Sequence, residues 1–336
     1  MNRRTFILTA TAALAACGRK TPPQEVVVYT SVDDVFARPI GELFQKQSGI
    51  AVKLVPDTEE TKSTGLLNRL IAEKSKPVAD VFWSGDPMRA AVLKSKGISQ
   101  PYRSPNAAGM PPEFSDAAGH WSALSARARV IIVNTQHVPV AGQPRGLADF
   151  LDAKWRGKVC IANPLFGTTA MHAAALFETM GEEKARAFFD AMRANGVAML
   201  SSNGEVKRRV AAGEFAFGLT DTDDVHEAAK DGKPVAAIYP DADGAGTLVM
   251  PNAAVLIAGA PHAENGRRFI DFLLTAQAEE ELAKSAAQMP LRPGVSVPPG
   301  VKRVEEIRAL RVDYEKLAAR IESLAGGFLK EWTAAQ

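Results

Sequence analysis

Three carboxylates lie within four positions of the sequence, at Asp221, Asp223 and Asp224. They follow FAFGLT at 215–220, an apolar run typical of a buried strand, and they precede a stretch with helical spacing. Carboxylates this close raise each other's pKa unless a positive group joins them. That positive group could be a hard cation, a ligand ammonium or, in a two-lobed protein, an arginine from the opposite lobe. Ligand hydroxyls could also donate hydrogen bonds to the carboxylates.

The simpler interpretation of the same residues is the start of a helix. Thr220, Asp221 or Thr222 can accept from free N–H groups, and the two following acids complement the helix dipole. Alternating residues such as Asp221 and Asp223 need not point the same way. We therefore expect Asp221 and either Asp223 or Asp224 to face a ligand, rather than all three.

Other small polar residues stand where predicted strands end and helices begin. Ligands of doubly wound sheets bind at the carboxyl ends of strands, and helix N-termini favour anions. The predicted ligand-binding residues are Thr30, Ser31, Asp33, Ser84, Gly167, Thr168, Thr169, Asn203, Asp221, Asp223 and Asp224. No cofactor is expected, apart from a metal ion bound as the ligand itself.

The elements that position these residues alternate between strand and helix. VVVYT at 26–30, IAVKLVP at 50–56 and ADVFWSG at 79–85 read as buried strands separated by helices. Long apolar strands at 126–135 and 247–259 read as crossings between two lobes, and 304–332 reads as helix. The predicted fold is α/β, with two lobes that each contain a doubly wound, mostly parallel sheet and are joined by crossing hinge strands. The first lobe comprises 26–127 and 254–290, and the second comprises 128–253 and 291–336.

The N-terminus reads as an export signal. Arg3 and Arg4 precede an apolar run at 6–16 that is too short to span a bilayer of about 30 Å. LAAC at 14–17 looks like a bacterial lipobox, so residues 1–17 are interpreted as a signal peptide with Cys17 lipidated, and 18–25 as a tether. We expect a periplasmic protein held to a membrane by this lipid. Cys160 then has no partner, so no disulfide is expected.

The charge balance excludes a general affinity for nucleic acid or for anionic membrane. The chain holds 40 basic and 38 acidic side chains, and removing residues 1–16 takes away two arginines and no acid. The remaining protein is close to neutral. The expected partner is a small molecule, membrane contact is expected only through the lipid, and the protein is expected to be a monomer.

The order of these landmarks resembles a known family. VVVYTS, PVADVFW, ARARVIIVNT, GKVCIANP and RRFIDFLLTAQAEEELA are similar to segments of bacterial periplasmic solute-binding proteins of the ferric-iron-binding family, over residues 26–292. Relatives in that family bind sugar phosphates, phosphonates, thiamine or polyamines. The resemblance implies a type II periplasmic binding protein fold that closes on a ligand and delivers it to the membrane domains of an ABC importer.

The sequence departs from that family at the metal ligands. The family's ferric proteins bind iron through two adjacent tyrosines, usually with a histidine and a glutamate. Here Asp223 and Asp224 stand at the tyrosine positions, Asp33 at the histidine position and Asp86 near the glutamate position. If a metal ion is bound, the resemblance therefore implies Asp33, Asp86, Asp223 and Asp224 as its candidate ligands. The tyrosines of this chain are Tyr29, Tyr102, Tyr239 and Tyr314, of which no two are adjacent.

The resemblance leaves the anion pocket in place. GTT at 167–169 stands where the family cradles a phosphate or carbonate, and Asn203 stands where the family supplies an amide. The sequence therefore predicts capture of a small polar anionic ligand, similar to a sugar phosphate or a phosphonate. The alternative is a ferric or other metal ion held by carboxylates with a synergistic anion.

The sequence also bears on two other classes of protein, enzymes and ligand sensors. An enzyme would need a histidine or lysine beside the acids, and the sequence offers only His226, so no catalysis is expected. A ligand sensor that docks to a membrane receptor would share the fold. Arg127 and Arg129 alternate to one face of a crossing strand, as partners for the cleft acids or a ligand phosphate, or as surface salt bridges. Trp83 and His172 read more simply as packing residues than as parts of a site.

Overall fold

The structure is a computed structural model that describes residues 24–57 and 65–335. The proposed signal peptide, Cys17 and most of the proposed tether lie outside the described residues. Among the helices of the described ranges, none combines the length and the apolar character that crossing a bilayer requires.

The strands form one continuous, strongly mixed sheet. Their bounds are β1 Glu25–Thr30, β2 Ala51–Pro56, β3 Val81–Ser84, β4 Ser99–Gln100, β5 Ser122–Asn134, β6 Val159–Ala162, β7 Ala198–Leu200, β8 Phe217–Asp221, β9 Val235–Ile238 and β10 Val249–Ile257. The order is β2-β1-β3-β10-β5-β8-β6-β7, with β4 paired to β10 and β9 paired to β5. Pairs β1–β2 and β1–β3 are parallel in the first lobe, as are β6–β7 and β6–β8 in the second. This confirms the predicted two-lobed α/β fold.

Two antiparallel strands, β5 and β10, join the lobes. The first half of β5 pairs with β10, and its second half pairs with β8, from Arg129 opposite Asp221 to Val133 opposite Phe217. The register of β10 shifts between Pro251 and Asn252, which is typical of a β-bulge that bends a strand. Both strands are buried along their length except at the partly buried Arg127, so their apolar residues face both sides of the sheet.

The hinge backbone near this bulge is held by a buried carboxylate. Ser125 has a φ of 35°, and its N–H donates to Glu279 Oε1 at 2.7 Å. The same carboxylate accepts from Leu291 N at 3.0 Å and from Arg292 N at 2.9 Å. Burial raises the pKa of Glu279, and these backbone donors oppose that rise. Glu279 therefore connects β5 to the segment at 291–292.

Helices cover both faces of the sheet. Their bounds are α1 Asp34–Ser48, α2 Gly65–Ala72, α3 Pro87–Ser95, α4 Gly167–Met180, α5 Glu182–Ala194, α6 Asn203–Ala211, α7 Thr222–Lys230, α8 Ala263–Leu273, α9 Ala276–Ala286, α10 Tyr314–Gly326 and α11 Phe328–Ala334. Five helices begin within five residues of the carboxyl end of the strand that precedes them, namely α1, α3, α4, α6 and α7. Their N-termini therefore converge on the junction of the two lobes.

The prediction of continuous helix over 304–332 was wrong in its first part. Only a single 3₁₀ turn forms, at Val304–Glu306, before α10 begins at Tyr314. Residues between them pair with another segment instead, because Leu310 N donates to Thr247 O at 2.8 Å. The side chain of Asp313 then caps α10 by accepting from Glu315 N at 3.0 Å.

Helix α10 packs against α3 of the first lobe and against α4 of the second. Leu317 is fully buried in this contact. Glu315 forms an ion pair with Lys94 of α3, and Arg320 forms one with Glu182 at 2.6 Å. The helix thus contacts both lobes at once.

Candidate functional site

A cavity of about 600 Å³ lies between the lobes, at the carboxyl ends of their strands. The first lobe contributes residues 31–33, 36, 85, 86, 88 and 89, and the second lobe contributes 162, 163, 166–169, 171, 201–204, 221, 223 and 224. Arg127, Asn252 and Gln288 reach it from the hinge segments. The position matches the rule that ligands of open α/β sheets bind beyond the carboxyl ends of the strands.

Most of the predicted site residues line this cavity. They are Ser31, Asp33, Gly167, Thr168, Thr169, Asn203, Asp221, Asp223 and Asp224, together with the candidate metal ligand Asp86. Their contact with a ligand remains a prediction. Asp86 is also the N-cap of α3, accepting from Met88 N at 2.9 Å, and it pairs with Arg89 at 2.7 Å. That carboxylate is therefore already engaged.

Thr30 and Ser84, which were also predicted to bind the ligand, do not line this cavity, and both are fully buried. Thr30 Oγ1 donates to Trp83 O at 2.9 Å and accepts from Val32 N at 3.0 Å. Ser84 Oγ accepts from Asp86 N at 3.3 Å. These hydroxyls form hydrogen bonds with backbone groups at the ends of the strands. Residue type alone does not show whether a hydroxyl at a strand end bonds to the backbone or to a ligand.

The most buried part of the site is an ion pair between β5 and β8. Arg129 is fully buried, and its Nη1 donates to Asp221 Oδ1 at 2.6 Å. The two residues are directly opposite each other on antiparallel strands. Asp221 is the N-cap of α7, yet its side chain makes no capping bond. Its second oxygen instead accepts from Thr168 Oγ1 at 2.9 Å.

The side chains that follow the second-lobe strands extend this ion pair into a network. Asn203 Nδ2 donates to Thr168 Oγ1 at 2.7 Å, and Asn203 Oδ1 accepts from Arg129 Nη1 at 3.2 Å. Thr169 Oγ1 accepts from Arg129 Nη2 at 3.3 Å. These hydroxyls and this amide are thus oriented by Arg129 and Asp221 before any ligand arrives.

The backbone of the α4 N-terminus remains open. Its N-cap is Phe166, which offers no side-chain acceptor, and Gly167 has a φ of 55°, in the left-handed region that favours glycine. Within the described chain, the N–H groups of Gly167, Thr168 and Thr169 have no hydrogen-bond acceptor. Such groups at a helix N-terminus favour an anion.

Asp223 and Asp224 lie in the first turn of α7, as the helix-start interpretation predicts, and they also line the cavity. Carboxylate oxygens of Asp221, Asp223 and Asp224 lie within 4.8 Å of one another. Burial raises the pKa of Asp223 to about 7, with the charges of Asp224 and Asp221 adding to the rise and Arg127 opposing it. Burial and the charge of Asp221 also raise the pKa of Asp224.

Arg127 connects the two lobes. Its Nη2 donates to Gly85 O of the first lobe at 2.8 Å. Its Nη1 lies 3.7 Å from a carboxylate oxygen of Asp221 and 3.7 Å from one of Asp223 in the second lobe. The predicted pairing of Arg127 and Arg129 with the cleft acids is confirmed, and the alternative of surface salt bridges is wrong for the fully buried Arg129.

Lys207 was missed by the sequence analysis. Its Nζ lies 3.7 Å from Asp224 Oδ1, and Thr220 Oγ1 donates to the same carboxylate at 2.5 Å. Lys207 lies four residues after Asn203 in α6, and this spacing, which places the two on one helix face, could have identified it from the sequence. Burial would lower the pKa of Lys207, but its hydrogen bond to Glu227 and the charge of Asp224 outweigh burial and raise it. Lys207 therefore stays protonated and is a poor general base.

Asn252 and Gln288 were also missed. Asn252 Nδ2 donates to Gln288 Oε1 at 3.0 Å on the hinge side of the cavity. His226 lines a different cavity, on the other side of α7. His172 is buried in α4, and burial, followed by the charge of Arg129, lowers its pKa to about 3, so it stays neutral. Trp83 is fully buried in the first-lobe core, as the packing interpretation predicts.

This fold, with a cleft that carries its polar groups at strand ends, defines the class of two-lobed solute-binding proteins. The family model of bacterial extracellular solute-binding proteins matches residues 76–319, and the chain belongs to that family. The family's relatives include periplasmic solute-binding proteins of ABC importers, and this chain is a protein of that kind.

Similarity to individual relatives extends over most of the chain. Iron uptake protein A1 of Synechocystis sp. is 27% identical, with 94% of each chain covered. The "Putative 2-aminoethylphosphonate-binding periplasmic protein" of Salmonella typhimurium is 28% identical over 76% of this chain and 74% of the relative.

Solved structures agree in fold. Iron-bound HitA from Pseudomonas aeruginosa has a TM-score of 0.80 at 22% identity, covering 90% of this chain and 99% of that one. AfuA from Actinobacillus pleuropneumoniae, with fructose-6-phosphate bound, has a TM-score of 0.77 at 23% identity, covering 92% and 99%.

Proposed function

We propose that this protein captures a small organic phosphate or phosphonate in the inter-lobe cleft and delivers it to the membrane domains of an ABC importer, without catalysis. The observation that carries the proposal is the juxtaposition of Arg127 and Asp223, 3.7 Å apart at the wall of one cavity. Opposite charges side by side suit a ligand with an anionic end and a hydroxyl or ammonium end.

The anionic end is assigned to the α4 N-terminus. Three open N–H groups there, at 167–169, are neighbours of the network that Arg129 organises. A phosphate or phosphonate group would accept from these donors without displacing any bond of the network, and Arg127 would supply a nearby cation. No metal ion is needed for this arrangement.

The other end of the ligand is assigned to Asp223 and Asp224. Both carboxylates have raised pKa values, because burial disfavours their ionised forms, and so do the charges of Asp224 and Asp221 at Asp223 and the charge of Asp221 at Asp224. A ligand ammonium or two hydroxyls would relieve that cost. One relative is named for 2-aminoethylphosphonate, a ligand with an amino group. A structurally similar protein was solved with bound fructose-6-phosphate, a ligand with several hydroxyls.

A metal ion is the second candidate, and the compact carboxylates favour it, because their oxygens lie within 4.8 Å of one another. The fit is poor in one respect. Asp221 is neutralised by Arg129 at 2.6 Å and faces Arg127 at 3.7 Å, which places two fixed cations beside any bound metal ion. Asp223 and Asp224 would have to hold the ion with a synergistic anion.

Isothermal titration calorimetry separates the two candidates. The purified protein is titrated with 2-aminoethylphosphonate, fructose 6-phosphate and ferric citrate. We expect a phosphonate or sugar phosphate to bind, and Arg127→Met to weaken that binding by about tenfold to a hundredfold, because a charge-assisted contact is lost. Arg156→Met, at an exposed arginine outside the cavity, is the matched control. Binding of ferric citrate alone, unaffected by Arg127→Met, would contradict the proposal.

Within the described chain, neither of the two basic side chains considered beside the acids is placed or protonated to act as a general base. Lys207 stays protonated, and His226 lies outside the cleft cavity. This supports the proposed role in binding alone. Incubation of the protein with each phosphate ligand should return that ligand unchanged, and any turnover would contradict this part of the proposal.

We also propose that the mature chain is a periplasmic monomer that is anchored through lipidated Cys17. In cell fractionation, the wild-type protein is expected in the membrane fraction and Cys17→Ser in the soluble periplasmic fraction. Cys160→Ser, at the buried cysteine of β6, is the control that should leave the location unchanged. Recovery of Cys17→Ser in the membrane fraction would contradict the anchor.

A further inference from the structure

Phe166 breaks two local rules at once. It is the N-cap of α4, a position where Ser, Thr, Asp or Asn normally supplies a capping oxygen, and no capping bond forms. Its side chain is 66% exposed, although large aromatic residues are usually buried. A residue that stabilises neither its helix nor the core is a candidate for a functional role, because departures from local sequence rules are expected at functional sites.

The exposed ring lies in the cleft. Phe166 lines the inter-lobe cavity, immediately before the open N–H groups of Gly167 and Thr168. From the other lobe, Phe36 in the first turn of α1 lines the same cavity and is only partly buried. Val32 adds a further apolar contact on that side. The cleft therefore has apolar walls on both lobes beside its polar end.

The cavity is also large for an ion. Its volume of about 600 Å³ falls within the range of roughly 300–1,000 Å³ that is typical of sites for drug-sized organic ligands. A bare metal ion with its synergistic anion, or a methylphosphonate, would leave the aromatic walls facing water. A ligand with a ring would cover them.

We propose that Phe166 and Phe36 form an aromatic clamp that selects a ring-bearing phosphate or phosphonate over small linear ones. This inference rests on the proposed anion site at the α4 N-terminus. The phosphoryl group binds the open N–H groups, and the ring of the ligand packs against Phe166, which precedes them by one residue. Closure of the lobes then brings Phe36 of the opposite wall onto the other face of that ring.

The test compares two probes that differ only by a ring. Phenylphosphonate and methylphosphonate are titrated calorimetrically into the wild-type protein. We expect phenylphosphonate to bind about tenfold more tightly, the preference that an aromatic contact beyond simple burial provides. Phe166→Leu keeps an apolar side chain without the ring and should lose most of that preference, while its affinity for methylphosphonate stays within about twofold.

Three further variants complete the test. Phe166→Tyr keeps the ring and should keep the preference, and Phe36→Leu should reduce it as Phe166→Leu does. Val140→Ala, at another exposed apolar residue that lies outside the cavity, should change neither affinity. The melting temperature of each variant is measured in parallel, because the exposure of Phe166 predicts unchanged stability.

The possible outcomes distinguish the clamp from the proposed function. Equal affinity of the wild-type protein for the two phosphonates would overturn the clamp and leave the anion site standing. A loss of affinity for both probes in Phe166→Leu would also overturn it, because Phe166 would then act on the anion site. If neither phosphonate binds while ferric citrate does, the proposed function fails, and the clamp fails with it.

Discussion

At the scale of single residues, one acidic motif occupies three environments. Asp221 is buried against Arg129 and functions as part of the scaffold. Asp223 faces the cavity beside Arg127, and Asp224 is held by Thr220. The sequence indicates the cluster and its place at a strand end. It cannot indicate which carboxylate is neutralised, because that depends on the register that places Arg129 opposite Asp221.

The buried ion pair gives the first prediction at this scale. Asp221→Ala leaves the Arg129 guanidinium buried without its carboxylate, so we expect the free energy of unfolding to fall by about 3–5 kcal/mol. Urea denaturation followed by circular dichroism measures this change. Asp243→Ala removes an exposed carboxylate and should change stability by less than about 0.5 kcal/mol. A similar small change for Asp221→Ala would contradict the structural role.

The second prediction at this scale concerns pH. The pKa of Asp223 is about 7 in the folded protein, against 3.8 as its ordinary value. Between these values the folded state holds a proton that the unfolded state has lost, so the contribution of Asp223 to stability falls as pH rises from about 4 to 7. Asp223→Asn removes that loss.

We therefore expect Asp223→Asn to be more stable than the wild-type protein at pH 8, by about 1–2 kcal/mol after allowance for its contact with solvent, and to gain nothing at pH 4. Urea denaturation at the two pH values measures the difference. Asp243→Asn should show no such trend. A constant difference between Asp223→Asn and wild type at both pH values would show that the pKa of Asp223 is not raised.

At the scale of elements, the α4 N-terminus depends on one backbone conformation. Gly167 has a φ of 55°, and apart from its chain neighbours and its own helix backbone, no atom of the described residues lies within 4 Å of the position that a Cβ would take. Gly167→Ala should therefore cost about 1–2 kcal/mol through backbone strain alone and should weaken anion binding as the turn shifts. Urea denaturation and calorimetry measure the two effects. Gly142→Ala, at a glycine with open space and no positive φ, is the control, and equal behaviour of both variants would contradict this account.

The elements that could be predicted from sequence are those set by local pattern. The apolar runs at 26–30, 50–56 and 79–85 predict β1, β2 and β3, and the helices predicted between them form as α1 and α2. The segment 307–313 was mispredicted, because its backbone bonds with Thr247, far away in sequence, override a helical pattern. Thr30 and Ser84 were placed in the cleft for a similar reason, because residue type does not reveal a backbone partner.

At the scale of the whole molecule, the lobes are connected by more than their two crossing strands. Helix α10 contacts both lobes, and one continuous apolar cluster includes Tyr29 of the first lobe and Phe217 of the second. Glu279 fixes the hinge backbone at Ser125. These contacts would limit the range over which the cleft opens and closes.

Leu317 is the residue at which this coupling can be tested. It is fully buried within the shared cluster, so Leu317→Ala should lower the free energy of unfolding by about 2–5 kcal/mol. Urea denaturation measures the change, with the exposed Val140→Ala as control. A loss below about 0.5 kcal/mol would show that α10 is not an integral part of the fold.

The central claim is that the cleft binds an organic phosphate or phosphonate and not a metal ion. Native mass spectrometry of the protein as purified, with metal analysis of the same sample, tests it most directly. We predict a metal-free adduct whose mass, of the order of a few hundred daltons, matches a phosphate or phosphonate ligand. About one iron or other metal ion per chain, lost in the variant Asp223→Ala/Asp224→Ala, would contradict the account.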